Sequence, residues 1–342
     1  MAGPACGSPP SAALNPVVPN TESGSSSASS GERTWRQAFL QVNDGALVHY
    51  GYSGEGRAVL LCDGIGCDGF AWRYLAPALA DDHLVIHPHL RGHGRSPPPP
   101  DPTHVSIELL ADDAIEVLQA LGAETAVLVG HSTGVQTCLE AYRRYPQRVR
   151  AMVLLCGSYG SPLRSLFGAD LLHHLLPFLQ LMALGGRQPL RWLWRAVLPT
   201  ELACELALRL EVNSDLIERS DMVAFLDRLS RVEPDLFVRM LAFADRHSAR
   251  DLLEQVRVPV LLCGGGRDGF TPIALAREMQ SRMPHARLLE VPDGTHAAPL
   301  ERPDLITPAV TEFIAGTDGT DGPADSGPAV ADRGLPSWPK SD

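Results

Sequence analysis

Short apolar runs and amphipathic stretches take turns along most of this chain. Gln37–Val42, Leu47–Tyr52, Ala58–Cys62, Leu84–His87, Thr125–Val129, Arg150–Leu155, Pro259–Cys263 and Ala286–Val291 read as strands. They are bounded by turn residues and are too short for buried helices. Apolar positions at helical spacing predict helices near Ala71–Leu79, Ile107–Leu121, Val135–Tyr145, Pro272–Arg282 and Pro303–Ala315. Only a turn at Asp44-Gly45 separates the first two strands, which predicts a hairpin. The strand–helix alternation after it predicts an α/β fold with an eight-stranded, mostly parallel sheet and helices on both faces.

The alternation breaks from about Tyr159 to His247, where the chain is leucine-rich and without a strand-like run. Two readings fit: extra helices packed on the sheet, or a helical cap (159–247) over the sheet edge where open α/β sheets bind ligands. The cap reading divides the folded part into a core of residues 32–158 and 248–316 with the cap inserted. Residues 1–31 and 317–342 are dominated by small and polar residues. They cannot bury enough apolar surface to offset chain entropy and are expected to be disordered tails.

Charge and cysteine usage narrow the setting. The net charge is −11 and no basic stripe appears, so nucleic acid is not an expected partner. Seven cysteines are scattered singly. Cys62, Cys138, Cys156 and Cys263 fall inside apolar runs and read as reduced core residues, neither a disulfide framework nor a zinc site. Met1 to Asn20 lacks the basic and apolar regions of a secretory signal. The apolar segment Leu171–Leu184 is broken by His173, His174 and Pro177 and is too short to span a bilayer. A cytoplasmic protein without stable membrane insertion is expected.

Candidate chemistry centres on Gly130-His131-Ser132-Thr133-Gly134, a serine between glycines where a strand-like run meets a helix. A turn this tight strains the serine backbone, and the elbow glycines Gly130 and Gly134 let the helix pack against the strand. The hydroxyl is then presented beside a helix N-terminus. A helix N-cap serine is the plainer alternative.

A serine nucleophile needs a base and an acid that orients it. His296 follows the last strand in Pro292-Asp293-Gly294-Thr295-His296, ahead of Pro299 and Glu301-Arg302-Pro303. Asp268 follows Gly264-Gly265-Gly266-Arg267, directly after an apolar strand. An ordinary turn histidine and a capping aspartate are the competing assignments. Asp293 and Asp170 are weaker acid candidates, the first because it would fold back across its own turn, the second because it lies in the insertion.

The order Ser132…Asp268…His296 resembles that of the α/β-hydrolase superfamily, and the resemblance runs from about residue 37 to 315. Leu60-Leu61-Cys62-Asp63-Gly64-Ile65-Gly66 followed by Trp72 is similar to its oxyanion strand and loop. His89-Leu90-Arg91-Gly92-His93-Gly94-Arg95-Ser96 is similar to its D-x-R-G-x-G-x-S turn. Residues 264–272 and 294–301 are similar to its acid and histidine loops. The resemblance implies oxyanion donors at the Thr133 and Ile65 N–H groups and requires no metal or organic cofactor. It also implies a small-molecule substrate, hydrolysed through an acyl-enzyme on Ser132. A carboxylic ester is the first expectation, with lactone, thioester or carbon–carbon bond hydrolysis and cofactor-free perhydrolysis as alternatives on the same triad. Aspartate-nucleophile relatives are disfavoured by the serine.

Two positions depart from the pattern: Asp63 stands where many relatives have histidine, and His89 where they have aspartate. A desolvated carboxylate beside an oxyanion would oppose catalysis. Asp63 is therefore expected to point away, bonded to loop backbone or paired with His89 or Arg91, while Asp68 has no assigned role. The leucines of the insertion, with Trp192 and Trp194, imply an apolar pocket beyond what cap packing uses. Two other functions are weighed: a non-catalytic binding module, which predicts a damaged triad, and a membrane-surface or partner helix over Leu171–Leu198, edged by Arg187, Arg191 and Arg195.

Overall fold

The computed structural model describes residues 18–19, 35–161, 187–210 and 212–318. The expected tails, apart from Val18–Pro19 and Thr317–Asp318, and the segment holding Asp170, His173, His174 and Leu171–Leu184 lie outside the described residues.

One sheet organises the molecule. The eight expected strands form as β2 (Arg36–Gln41), β3 (Leu47–Ser53), β4 (Ala58–Cys62), β5 (Leu84–Pro88), β6 (Ala126–His131), β7 (Val149–Leu155), β8 (Val260–Gly265) and β9 (Ala286–Val291). A two-residue strand, β1 (Val18–Pro19), adds to the edge beside β2. The order is β1-β2-β3-β5-β4-β6-β7-β8-β9. Strands β2 and β3 form the expected hairpin, with Gly45 at φ 84° and Ala46 N–H bonded to Asp44 Oδ1. Only a residue that accepts the left-handed region turns the chain so tightly. From β5 to β9 neighbouring strands run parallel.

Helices cover both faces, which explains why the central strands read as unbroken apolar runs. Leu128 packs on one side with Ile115, Leu118 and Leu139 from α2 (Ile107–Ala120) and α3 (Gly134–Arg144). Val127 and Val129 pack on the other with Trp72, Leu75, Ile306 and Val310. The last helix, Pro303–Asp318, ends with Asp318 bonded to His83 and Arg150. All six described cysteines are free and buried, Cys67 and Cys204 among them.

Four helices are described in the insertion: Arg187–Val197, Glu201–Leu210, Arg219–Arg231 and Pro234–Arg246. They seat on the core through Leu236, which packs with Leu90, Val105 and Ile107, and through Gln136 Nε2 donating to Ala244 O at 2.8 Å. Trp194 stacks near Phe237, with ring centroids 5.3 Å apart, but Trp192 is 73% exposed and contributes nothing to a cap core. Arg191 and Arg195 both pair with Glu233, which offsets part of the charge of that basic edge. Among the described residues no helix is long and apolar enough to cross a membrane.

Candidate active site

Ser132 directly follows β6 and has φ 56°, one of three non-glycine residues with positive φ among the described ones. Its N–H is bonded to Leu155 O, and its carbonyl accepts from Val135 N–H, so the strained residue is held from both sides. The flanking glycines are required by close approach. A Cβ at Gly134 would lie 2.0 Å from Cys62 O, and one at Gly130 2.4 Å from Gly134 O. Any side chain there would push α3 off the sheet and move the hydroxyl with it.

The two other expected residues converge on it from β8 and β9. His296 Nε2 lies 2.9 Å from Ser132 Oγ, and His296 Nδ1 lies 3.0 Å from Asp268 Oδ2. The glycines after β8 let two loops press together: a Cβ at Gly265 would meet the Gly294 and Thr295 carbonyls, each at 2.5 Å. Asp268 Oδ1 accepts the Phe270 and Thr271 N–H groups and Oδ2 also accepts the Thr271 hydroxyl. Burial would raise the Asp268 pKa, but the adjacent imidazole and these donors outweigh it and hold the group below its ordinary value. A buried carboxylate that stays ionised fixes the proton of His296 on Nδ1 and leaves Nε2 to accept from the serine. Asp293 instead pairs with Arg302.

Three supports were not legible as such. The His131 ring reaches the His296 carbonyl through Nε2 at 2.9 Å. Burial first, then the facing His296, pushes the His131 pKa down to about 4, so the ring is neutral and donates this bond. Thr271 completes the Asp268 cradle. Glu301 accepts from the Thr295 N–H and hydroxyl and from the Asn213 N–H, tying the histidine loop to the insertion. His131 and Glu301 reach partners 165 and 88 residues away, and no local pattern marks those contacts.

The loop after β4 runs against Ser132. A Cβ at Gly64 would lie 2.8 Å from Ser132 Cβ. The next residue, Ile65, turns its side chain into the cluster of Leu90, Leu236 and Met240. Thr133, the other expected donor, is the N-cap of α3. Asp63 is bonded as expected to loop backbone, accepting Gly69 N–H, but its side-chain partners are Trp72 Nε1 and His87 Nε2 at 2.6 and 2.8 Å, not His89 or Arg91. The last residues of β5 explain the correction. His87 reaches Asp63, while His89, beyond the strand end, faces Asp68 with Nδ1 2.5 Å from Oδ1. Arg91 is fully committed to Asp113 and Asp44. Burial would raise the Asp63 pKa, and the His87 charge and the donors overcome it to hold the carboxylate ionised. The His87 pair and the Asp68–His89 pair therefore bracket the loop.

Apolar side chains lie against His296 and against the loop after β4. Phe270 stacks near His296 with centroids 5.0 Å apart, and Leu229 and Phe237 of the insertion come down on Gly66. Among the described residues no group of three or more His, Cys, Asp or Glu side chains is arranged to hold a metal ion.

Residues 57–303 match a family model described as the alpha/beta hydrolase fold. The bifunctional epoxide hydrolase 2 of Sus scrofa is 34% identical over 141 residues, covering 41% of this chain; the chain spans only 24% of that protein. The uncharacterized hydrolase YugF of Bacillus subtilis (strain 168) is 30% identical over 284 residues, covering 79% of this chain and 95% of the other. Among solved structures, an enol-lactonase from Burkholderia xenovorans LB400 superposes with a TM-score of 0.67 at 22% identity, over 81% of this chain and 99% of that one, a likeness of fold.

Proposed function

The chain belongs to the α/β-hydrolase fold family, and from that premise we propose that it is a serine hydrolase cleaving a carboxylic ester of a small, hydrophobic substrate. The observation that carries this reading is the unbroken contact from Ser132 Oγ through the His296 ring to the Asp268 carboxylate. Ser132 Oγ attacks the acyl carbon as its proton passes to His296 Nε2. The Ile65 and Thr133 N–H groups receive the oxyanion. As the tetrahedral intermediate collapses, His296 returns the proton to the leaving alcohol, and Asp268 stabilises the imidazolium meanwhile. Water enters, gives a proton to His296 and its oxygen to the acyl carbon, and the free acid and Ser132 hydroxyl are regenerated.

Phe270 against His296, and Leu229 and Phe237 against Gly66 next to Ile65, support an apolar acyl or alcohol group. The serine at the elbow supports acyl transfer over routes through a carboxylate nucleophile. Free, buried cysteines suit a cytoplasmic setting. A panel of esters, lactones and thioesters of graded chain length, run on the wild type and Ser132→Ala, tests the reading. Turnover of medium-chain esters by the wild type alone is expected. Equal turnover by both proteins would remove the assignment, and preference for very short, charged esters would remove the apolar pocket.

A further inference from the structure

The loop that carries Ile65 is pinned at two points, and the second is a histidine outside the triad. The first pin is Asp63, whose carboxylate accepts from Gly69 N–H, Trp72 Nε1 and His87 Nε2. The second is His93, 1% exposed, whose Nε2 lies 3.0 Å from Gly66 N and whose Nδ1 lies 3.1 Å from Arg91 O. A backbone N–H can only donate and a carbonyl can only accept, so these two neighbours leave one arrangement. The ring is neutral, its proton is on Nδ1, and Nε2 accepts the Gly66 N–H. Burial favours the same neutral form and lowers the pKa.

The turn that presents His93 is itself rigid. Gly92 and Gly94 on either side have φ 72° and 54°, and Ser96 Oγ donates to His89 O while accepting His49 N–H. Arg91 anchors the turn through Asp113 and Asp44. Only Gly64 and Ile65 lie between the two pins, so the Gly64–Ile65 peptide has little freedom left.

We propose that His93, as its Nδ1-protonated neutral tautomer, is a positioning residue for the oxyanion site: it takes the Gly66 N–H as acceptor and so leaves the Ile65 N–H as the donor the loop offers to Ser132. This rests on the serine-hydrolase reading above. His93 touches no reacting atom; it acts through the loop. Removal of the acceptor frees Gly66 N–H to compete for water and lets the Ile65 peptide rotate, which weakens a contact made chiefly in the transition state.

The test compares full-length wild type, His93→Ala and His93→Gln, whose Oε1 supplies a replacement acceptor at similar reach. With p-nitrophenyl butyrate as the probe ester, His93→Ala is expected to lose about 10- to 100-fold in kcat, less than deletion of an oxyanion donor outright, with KM changed by under about threefold. His93→Gln is expected to recover most of that loss. Independently of turnover, long-range proton–nitrogen spectra of the wild type at pH 7, with the His93 ring assigned by its loss in His93→Gln, are expected to show the Nδ1-protonated pattern. Full kcat in His93→Ala, or an Nε2-protonated ring, would overturn the inference and leave the triad intact. Should His93→Ala not fold, the tautomer and the His93→Gln kinetics decide. Inactivity of the wild type toward every ester would instead remove the serine-hydrolase reading, and the tautomer spectrum would still decide whether His93 holds Gly66 as stated.

Discussion

The His131 ring donates to the backbone carbonyl of His296 at 2.9 Å, so the residue before the proposed nucleophile holds the proposed base. The bond joins the end of β6 to the loop after β9 and sets how far Ser132 sits from His296. His131→Phe keeps a ring in place and removes the donor. The partly buried carbonyl then lacks that partner, at a cost of about 1 kcal/mol. Urea unfolding is expected to show that loss, with kcat down about tenfold and KM little changed. Unaltered stability and kcat would mean that the contact positions nothing.

Asp268→Asn keeps the volume of the side chain but offers His296 an amide in place of a carboxylate. The imidazole then loses both its orienting acceptor and the charge that stabilises its protonated form. A fall in kcat of about 10³–10⁴-fold is expected, by analogy with the loss of tautomer control in serine proteases. Steady-state hydrolysis of a good probe ester measures it. A loss of less than tenfold would point to another carboxylate as the partner of His296.

Acid stability depends on histidines that fold neutral. His49 is buried with neither ring nitrogen bonded, packed against Phe39 and His89. Burial, then the neighbouring His89, pushes its pKa from 6.5 down to about 3. The unfolded chain takes up this proton below about pH 6.5 and the native protein does not until near pH 3. Stability from this group is therefore complete above pH 6.5 and is lost as the pH falls towards 3. His49→Phe removes the linkage and keeps the ring contact with Phe39. Relative to wild type it is expected to gain about 2 kcal/mol between pH 7.5 and pH 5, read by urea titrations at both values. Parallel losses in both proteins would show that His49 does not carry the dependence.

Much of this was legible in the sequence because the fold writes its central strands as apolar runs, and because Gly130, Ser132 and Gly134 meet steric demands that few residues satisfy. Asp268 and His296 could be picked out because each follows a strand at a glycine-rich turn. Partnership was harder to see. Asp63 was expected beside a neighbour such as His89 or Arg91, yet strand β5 brings His87 to it, and the choice between histidines two residues apart depends on where the strand ends. Glu301 and His131 were visible only as a helix start and as the variable residue of the elbow. Their roles come from loops that meet in space, across 88 residues for Glu301 and Asn213 and 165 for His131 and His296.

The central claim is that Ser132 is the acyl-carrying nucleophile. The most direct measurement is the intact mass of the protein after exposure to a fluorophosphonate, on wild type and Ser132→Ala, with peptide mapping of the adduct. One stoichiometric adduct on Ser132 in the wild type and none in the variant is predicted. An adduct of equal extent in Ser132→Ala, or one mapping to another residue, would contradict the account.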